Sequence, residues 1–377
     1  MKAMYWRRNS ISTPQLVIVA VLAAAMLFTV EGNPGEERGA QFEVKMRAAR
    51  LAEEMLRAIN LERIRLQVPL DTEVDPAGSG LIGPPRSLIV SNEGHLSSKQ
   101  TSVNPNFAAV FVDMLEEADV SDGDVVAVNC TGSFPAMNLN LYAALEAVGA
   151  EPIVVSSVAA SEYGATHESL TWLDMERVLF ERDLVSFRSS AASMGGVLDV
   201  ARNHSPEGQE AIRSAIERND RALLYPQGYE QAVEMRLALF EEERRGRPIA
   251  LFVNVGGGTA SVGTADDKHD FRPGLNTRAP HGLDRESVMR HFLESDVPVI
   301  HVTQIRSLAR RYGLEDRPME TPSPGEGSVF RVRTINRWLL VGVLALILVL
   351  LFAATRFDFG TAFSRKKAAS EGAEPMV

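Results

Sequence analysis

Three consecutive segments between residues 124 and 157 decide the fold: DVVAVNC (124–130), TGSFPAMNLNLYAALEAVG (131–149) and PIVVSS (152–157). A short, continuous apolar run is typical of a strand that is buried on both faces of a sheet. Between the two runs, Pro135 stands at the start and Gly149 at the end of a segment with helical composition, where helices favour these residues. The order strand, helix, strand predicts a βαβ unit with parallel strands.

The same alternation continues along the chain. Further apolar runs stand at 248–255 (PIALFVNV) and 298–302 (PVIHV), and segments with helical spacing occupy 171–182, 206–218, 229–244 and 285–294. This pattern predicts an α/β fold: a mostly parallel, Rossmann-like sheet with helices on both faces, in three layers. On its amino-terminal side, 87–90 and 95–101 flank the turn-like residues 91–94, and we expect a hairpin there.

One long amphipathic helix is expected before this domain. Apolar residues recur at positions 44, 48, 51, 55 and 59, with charged residues between them. This spacing places the apolar side chains on one face of a helix. The helix is either a stalk or an element docked on its own domain, and the sequence leaves both alternatives open.

Two apolar segments predict membrane attachment. Residues 338–355 (WLLVGVLALILVLLFAAT) carry no charge, and a helix of that length rises roughly 27 Å, close to the hydrocarbon thickness of a bilayer. Residues 16–30 (LVIVAVLAAAMLFTV) are shorter and follow Lys2, Arg7 and Arg8, so they are either an uncleaved anchor or a cleaved signal peptide. The basic flank predicts a cytoplasmic amino end. The sequence thus predicts a two-pass protein of the cell (inner) membrane, its main domain outside the cytoplasm.

The expected organisation has seven parts. They are a cytoplasmic tail (1–15), the transmembrane anchor or signal peptide (16–30), an amphipathic helical stalk (31–80), the α/β domain (81–321), a linker (322–337), a transmembrane helix (338–355) and a basic cytoplasmic tail (356–377).

The charge balance excludes one class of partner. The chain has 39 basic against 49 acidic residues, and residues 32–336 alone have 31 against 45, a net charge of −14. A nucleic-acid-binding protein needs a basic footprint, so we expect no nucleic acid as a partner. Cys130 is the single cysteine, which excludes an intramolecular disulfide and a Cys-rich metal site.

Candidate ligand-binding residues follow the predicted strands, because ligands of open α/β sheets gather at the carboxyl ends of strands. Small and hydroxyl residues after the strand expected at 124–130, and three glycines after the strand expected at 248–255, can offer backbone N–H groups to a carboxylate or phosphate. The alternative is structural: an ordinary connection in which Ser133 caps the next helix, and a glycine-rich turn. The candidates are Lys99, Thr101, Asn104, Thr131, Gly132, Ser133, Gly256, Gly257, Gly258 and Thr259.

No catalytic residue or cofactor is assigned from motifs. The serine nucleophile motif G-x-S-x-G would need glycine at Thr131 and Pro135. The base for such a serine would be His95, His167 or His204, and the sequence does not bring any of them to Ser133. The chain has no phosphate-binding G-x-x-x-x-G-K-[ST] motif. Residues 266–270 (DDKHD) lack a defined metal-ligand spacing, so we assign no metal.

Several blocks together resemble one family. SKQTSVNPNFAAV (98–110), GDVVAVNCTGSFPAMN (123–138), EPIVVSSVAASEYGA (151–165), TWLDMERVL (171–179) and VNVGGGTASVG (253–263) resemble the membrane proteins called poly-gamma-glutamate system proteins. The resemblance implies a part in making or exporting poly-gamma-glutamate, a secreted anionic polymer, beside the synthase and export subunits. It supplies no catalytic residues. Two hypotheses follow: a non-catalytic accessory component, or a membrane-tethered hydrolase that acts on the polymer or its precursors.

Overall fold

The computed structural model describes residues 13–264 and 267–356, which divide into two compact units. One unit is Gly39–Phe330, and the other comprises the described parts of Met1–Arg38 and Arg331–Val377. The helices among the described residues are α1 (Thr13–Gly32), α2 (Phe42–Arg65), α3 (Leu96–Ser102), α4 (Phe107–Glu117), α5 (Pro135–Val148), α6 (Trp172–Glu181), α7 (Pro206–Arg218), α8 (Tyr229–Glu243), α9 (Thr259–Val262), α10 (Asp267–Asp270), α11 (Val288–Glu294), α12 (Ile305–Arg311) and α13 (Arg337–Arg356).

The strands are short and most of them are parallel. They are β1 (Gly35–Arg38), β2 (Val90–Asn92), β3 (Val125–Thr131), β4 (Glu151–Ser157), β5 (Ala160–Ser161), β6 (Ala191–Ser193), β7 (Ala222–Leu224), β8 (Ile249–Val255), β9 (Gly274–Asn276), β10 (Val299–Val302) and β11 (Arg331–Thr334).

The main sheet has seven strands in the order β7-β6-β4-β3-β8-β10-β9. All neighbours are parallel except β9, which runs antiparallel to β10 at the edge. From β3 the chain adds strands on one side through β4, β6 and β7, and then returns to the other side of β3 with β8. The strand order therefore reverses between β3 and β8, the position at which doubly wound sheets form a ligand crevice.

Both faces of the sheet are covered, as the apolar strands predicted. All seven residues of β3 are buried. Val126 and Val128 belong to the apolar core under α2, α4, α5 and α6, whereas Val125 and Ala127 belong to the core under α8 and α11. The α/β, mostly parallel, Rossmann-like fold expected from the sequence is thus confirmed.

The amphipathic helix α2 is docked on the α/β unit. Its buried side chains include Ala48, Ala52, Met55 and Ile59, which join the core shared with α4 and α5. The segment after Pro322 is also held on this unit, since Asn106 donates from Nδ2 to the Ser323 carbonyl oxygen (2.9 Å).

The hairpin expected between residues 87 and 101 is wrong. Val90–Asn92 pairs in parallel with Ala160–Ser161, and the second expected strand is the helix Leu96–Ser102. The polar residues 91–94 therefore connect a strand to a helix.

The second unit contains α1 and α13, which pack against each other, and β1 and β11, which pair antiparallel. Among residues 13–264 and 267–356, no helix combines the length and the hydropathy that crossing a membrane requires. The spans expected at 16–30 and 338–355 stay predictions. Most of the two terminal tails, at 1–12 and 357–377, lies outside the described residues.

Candidate functional site

A cavity of about 810 Å³ opens at the carboxyl ends of β3, β4 and β8, at the reversal of strand order. Six of the ten residues selected from the sequence line it: Lys99, Thr131, Ser133, Gly257, Gly258 and Thr259. Gly132 and Gly256 belong to the same two loops but do not line the cavity. Thr101 and Asn104 do not line the cavity.

The loop after β3 is fixed by contacts with the segment after β4. The Gly132 N–H donates to the Ser157 carbonyl oxygen (2.9 Å), and a Cβ at Gly132 would lie 2.6 Å from the Val158 carbonyl oxygen. Only glycine allows this approach. Ser133 does not cap α5: its Oγ accepts from the Ser161 N–H (3.0 Å), and the residue before the helix is Phe134, with Pro135 in the first turn.

The loop after β8 requires glycine at one position. Gly256 has a φ of +101°, and a Cβ there would lie 2.4 Å from Thr131 Oγ1. Gly258 has a φ of −60°, and the nearest atom to a Cβ there would be 3.8 Å away. Gly256 therefore brings the two strand-end loops together, while Gly258 leaves room beside them.

The glycine loop also carries unused hydrogen-bond donors. Within the described residues, the backbone N–H groups of Gly257, Gly258, Thr259 and Ala260 have no protein acceptor. Gly257 and Thr259 are exposed, Gly258 is half-buried and Ala260 is buried. Consecutive N–H groups of this kind beside a cavity can donate to the oxygens of an anionic ligand.

Lys99 connects the loops at the cavity wall. Its side chain is 3% exposed, and its Nζ donates to the Ser133 carbonyl oxygen and to Ser161 Oγ (2.9 Å). Nζ also lies 3.6 Å from the centre of the Phe134 ring, a cation–π contact. Lys99 therefore stabilises the loops as well as adding positive charge beside the cavity.

Thr101 and Asn104 have structural partners away from the cavity. Thr101 Oγ1 donates to Asp316 Oδ1 (2.7 Å), and Asn104 Oδ1 accepts from the N–H of Asn106 (2.9 Å). The first contact ties α3 to the carboxyl-terminal part of the α/β unit, and the second orders the turn that follows α3.

Sequence reasoning missed the third wall of the cavity. After β6, residues 195–199 line the cavity together with Arg236 of α8. Arg236 and Asp199 are 4% and 7% exposed, and they form an ion pair with 2.7 Å between Nη2 and Oδ2. The glycine pair Gly195-Gly196 could have indicated a further strand-end loop. However, Ala191–Ser193 has only small side chains, and its sequence does not predict a buried strand.

This third loop is strained. Leu198, Asp199 and Ala201 have φ values of 55°, 64° and 53°, in a region that costs residues other than glycine about 1–3 kcal/mol each. Such strain persists only where other contacts hold it and is concentrated at functional sites.

Polar side chains continue under the cavity on the α8 side of the sheet. Asn129 of β3 is paired in register with Asn254 of β8, and Asn129 Nδ2 donates to Ser261 Oγ. The Oδ1 atoms of Asn129 and Asn254 are buried, and neither has a hydrogen-bond partner among the described residues. Such unpaired buried oxygens are rare in folded proteins, which marks this end of the sheet as unusual.

Two titratable groups in the cavity wall are held neutral by burial. Burial raises the pKa of the Cys130 thiol well above its usual value, so the thiol is a poor nucleophile. Burial, with the nearby Asp267 carboxylate, raises the pKa of Tyr229 to about 12. Tyr229 Oη donates to the Glu286 carbonyl oxygen.

Catalytic and metal candidates remain few. Of the three histidines considered as bases, His95 lines the cavity, but Ser133 Oγ accepts a hydrogen bond from the Ser161 backbone N–H rather than from a histidine. Across the part of the chain that the structure describes, no group of three or more His, Cys, Asp and Glu side chains is placed to hold a metal ion.

Fold and site together define a doubly wound α/β protein with a cavity at its strand-order reversal. Comparison with family models, with curated proteins and with solved structures finds no match to this chain.

Proposed function

We propose that this protein is a membrane-anchored component of a poly-gamma-glutamate synthesis and export system, and that its cavity binds the carboxylates of a glutamyl ligand. The observation that carries the proposal is a local reversal of charge. Residues 32–336 have a net charge of −14, yet the cavity is lined by three strongly basic side chains, Lys99, Arg236 and Arg285, against two carboxylates, Glu93 and Asp199. A pocket of this kind attracts an anion that the rest of the surface repels.

The glycine loop supports a carboxylate rather than a neutral ligand. Its unpaired N–H groups lie beside these basic side chains, and hydrogen bonds between such donors and an ionised oxygen are stronger than those between neutral groups. The polymer of the resembled family carries one free carboxylate for each glutamyl unit, which matches this chemistry.

Membrane attachment is the second part of the proposal. On α1 and α13, large apolar side chains are exposed, among them Phe28 (73%), Trp338 (87%) and Leu348 (66%). Exposed apolar surface of this extent favours burial in lipid or against a partner. The proposed partners are therefore the lipid bilayer and the synthase and export subunits. The protein would lie in the inner membrane, with its main domain outside the cytoplasm.

The pathway assignment is tested in cells that secrete the polymer. An affinity-tagged full-length chain should copurify the synthase and export subunits from detergent-solubilised membranes, and deletion of the chain should lower the amount of secreted polymer. Unchanged secretion together with absence of those subunits from the purified material would contradict the assignment.

A second candidate function, hydrolysis of the polymer, is favoured by one contact. Lys99 Nζ lies 2.9 Å from Ser161 Oγ, and both side chains line the cavity. In this mechanism Ser161 Oγ attacks the amide carbonyl, the Ser161 proton passes through Lys99 Nζ to the leaving amine, and water then displaces Ser161 Oγ from the acyl group and returns a proton to it. Incubation of the full-length protein with poly-gamma-glutamate separates the two functions: the polymer keeps its length if the protein only binds it, and shortens if Ser161 is catalytic.

A further inference from the structure

The strained loop after β6 is held in place by the ion pair at its centre. Asp199 Oδ2 contacts Arg236 Nη2 (2.7 Å), and Asp199 Oδ1 accepts from Ser193 Oγ (2.8 Å). Residues 198, 199 and 201 have left-handed backbone angles, so loss of this carboxylate contact would release the loop towards conformations that these residues prefer.

Arg236 is placed to recognise a second carboxylate. It is anchored at Nη1 by the Ala232 carbonyl oxygen (3.0 Å) and at Nη2 by Ser193 Oγ (3.0 Å). Among the described residues, neither its buried Nε nor Asp199 Oδ2 has a hydrogen-bond partner, so Arg236 and Asp199 form a close ion pair without a well-aligned hydrogen bond. A guanidinium normally binds a carboxylate through two parallel hydrogen bonds, and the single close contact with Asp199 leaves that capacity incompletely used.

This arginine is close to the glycine loop. The short helix α9 begins in that loop, and it packs both against α8, which carries Arg236, and against the turn Val197–Asp199. Arg236, Gly257 and Gly258 line the same cavity. A ligand that spans them must carry an acidic group at each end.

We propose that Arg236 forms a second carboxylate subsite, that Asp199 occupies this subsite in the present structure, and that a ligand with two carboxylates displaces Asp199 when it binds. The inference rests on the proposed function, because the first carboxylate lies on the glycine loop. The displacement exchanges one ion pair for another and relieves the strained backbone, so the protein selects dicarboxylates over monocarboxylates of the same length.

Calorimetric titration of the full-length protein in mild detergent tests this proposal with two probes, glutarate and valerate. Asp199→Asn should raise the affinity for glutarate about tenfold to a hundredfold, since a charge-assisted contact is worth about that factor, and should change the affinity for valerate much less. Glu93→Gln is the matched control: it removes an acidic group of the cavity lining that forms no ion pair with the other described residues, and it should raise both affinities by the same small factor.

Ala201→Gly provides a second variant that acts in the opposite direction. Glycine accepts the φ of 53° at this position, so the closed loop becomes more stable and glutarate should bind more weakly. Thermal melts show whether each variant folds. If Asp199→Asn does not fold, the glutarate affinity of Ala201→Gly tests the displacement of Asp199.

The outcomes separate this inference from the proposed function. If the wild-type protein binds glutarate but Asp199→Asn binds it equally or more weakly, the displacement is wrong and the carboxylate site stands. If the wild-type protein binds neither probe and Asp199→Asn binds glutarate, the displacement is supported. Absence of binding in both proteins refutes the displacement and the carboxylate site together.

Discussion

At the scale of single residues, Gly256 and Gly258 of one loop should tolerate alanine very differently. Gly256→Ala should lower the free energy of unfolding by about 1 kcal/mol or more, because φ is +101° and the new methyl group would meet Thr131 Oγ1 at 2.4 Å. Gly258→Ala should change it by less than about 0.5 kcal/mol, since the nearest atom is 3.8 Å away. Denaturant unfolding of both variants measures the difference, and equal stability would contradict the described loop.

Lys99 illustrates how a structure changes the expected effect of a substitution. From the sequence, Lys99→Ala should weaken ligand binding and leave the fold intact. In the structure Nζ bonds the Ser133 carbonyl oxygen and Ser161 Oγ, so its loss leaves buried groups unpaired.

We therefore expect Lys99→Met to lower the free energy of unfolding by about 1–3 kcal/mol, measured by urea denaturation. Arg202→Met, which removes a basic group from an exposed side chain, is the control and should stay close to wild type. Full stability of Lys99→Met would show that the buried contacts of Nζ contribute nothing.

At the scale of elements, the pair Arg306–Asp316 ties α12 to the following turn and makes stability depend on pH. The hydrogen bonds from Arg306 lower the pKa of Asp316 to about 2, below the value of about 3.9 expected in the unfolded chain. The folded state thus favours the carboxylate, and the contribution is present above pH about 4 and is lost as the pH falls towards 2.

Asp316→Asn should accordingly destabilise the protein by at most about 1 kcal/mol at pH 7, because the pair is partly exposed, and by a smaller amount near pH 2. Urea unfolding at both pH values measures this, with Glu320→Gln at an exposed position as the control. A destabilisation that does not depend on pH would mean that the carboxylate charge is irrelevant.

The apolar elements were predictable from the sequence and the short ones were not. The strands β3, β4, β8 and β10 follow short continuous apolar runs, a pattern typical of doubly buried strands, and their predicted bounds agree with the structure nearly to the residue. β6 is Ala-Ala-Ser, three residues long, and has no β-branched or aromatic side chain. Because β6 was not predicted, the contact between Asp199 and Arg236 in the cavity wall could not be predicted either. The loop after β6 and helix α8 meet there only because of the position of β6 in the sheet.

At the scale of the whole molecule, the proposed topology places residues 32–336 outside the cytoplasm. Protease added to intact spheroplasts should degrade this domain, because both expected spans return the chain ends to the cytoplasmic side. Cys130 is unsuitable as a labelling site, since the thiol is buried. A domain that survives in intact spheroplasts and is degraded only after lysis would reverse the orientation.

The most direct test of the central claim, a carboxylate-binding cavity at the strand-order reversal, is calorimetric titration of the full-length protein with a gamma-linked glutamate oligomer. The wild-type protein should bind the oligomer, and Gly256→Ala should bind it about tenfold or more weakly under conditions where it remains folded, because the two strand-end loops no longer meet. Heat of binding that is absent in the wild-type protein, or identical in Gly256→Ala, would contradict the claim.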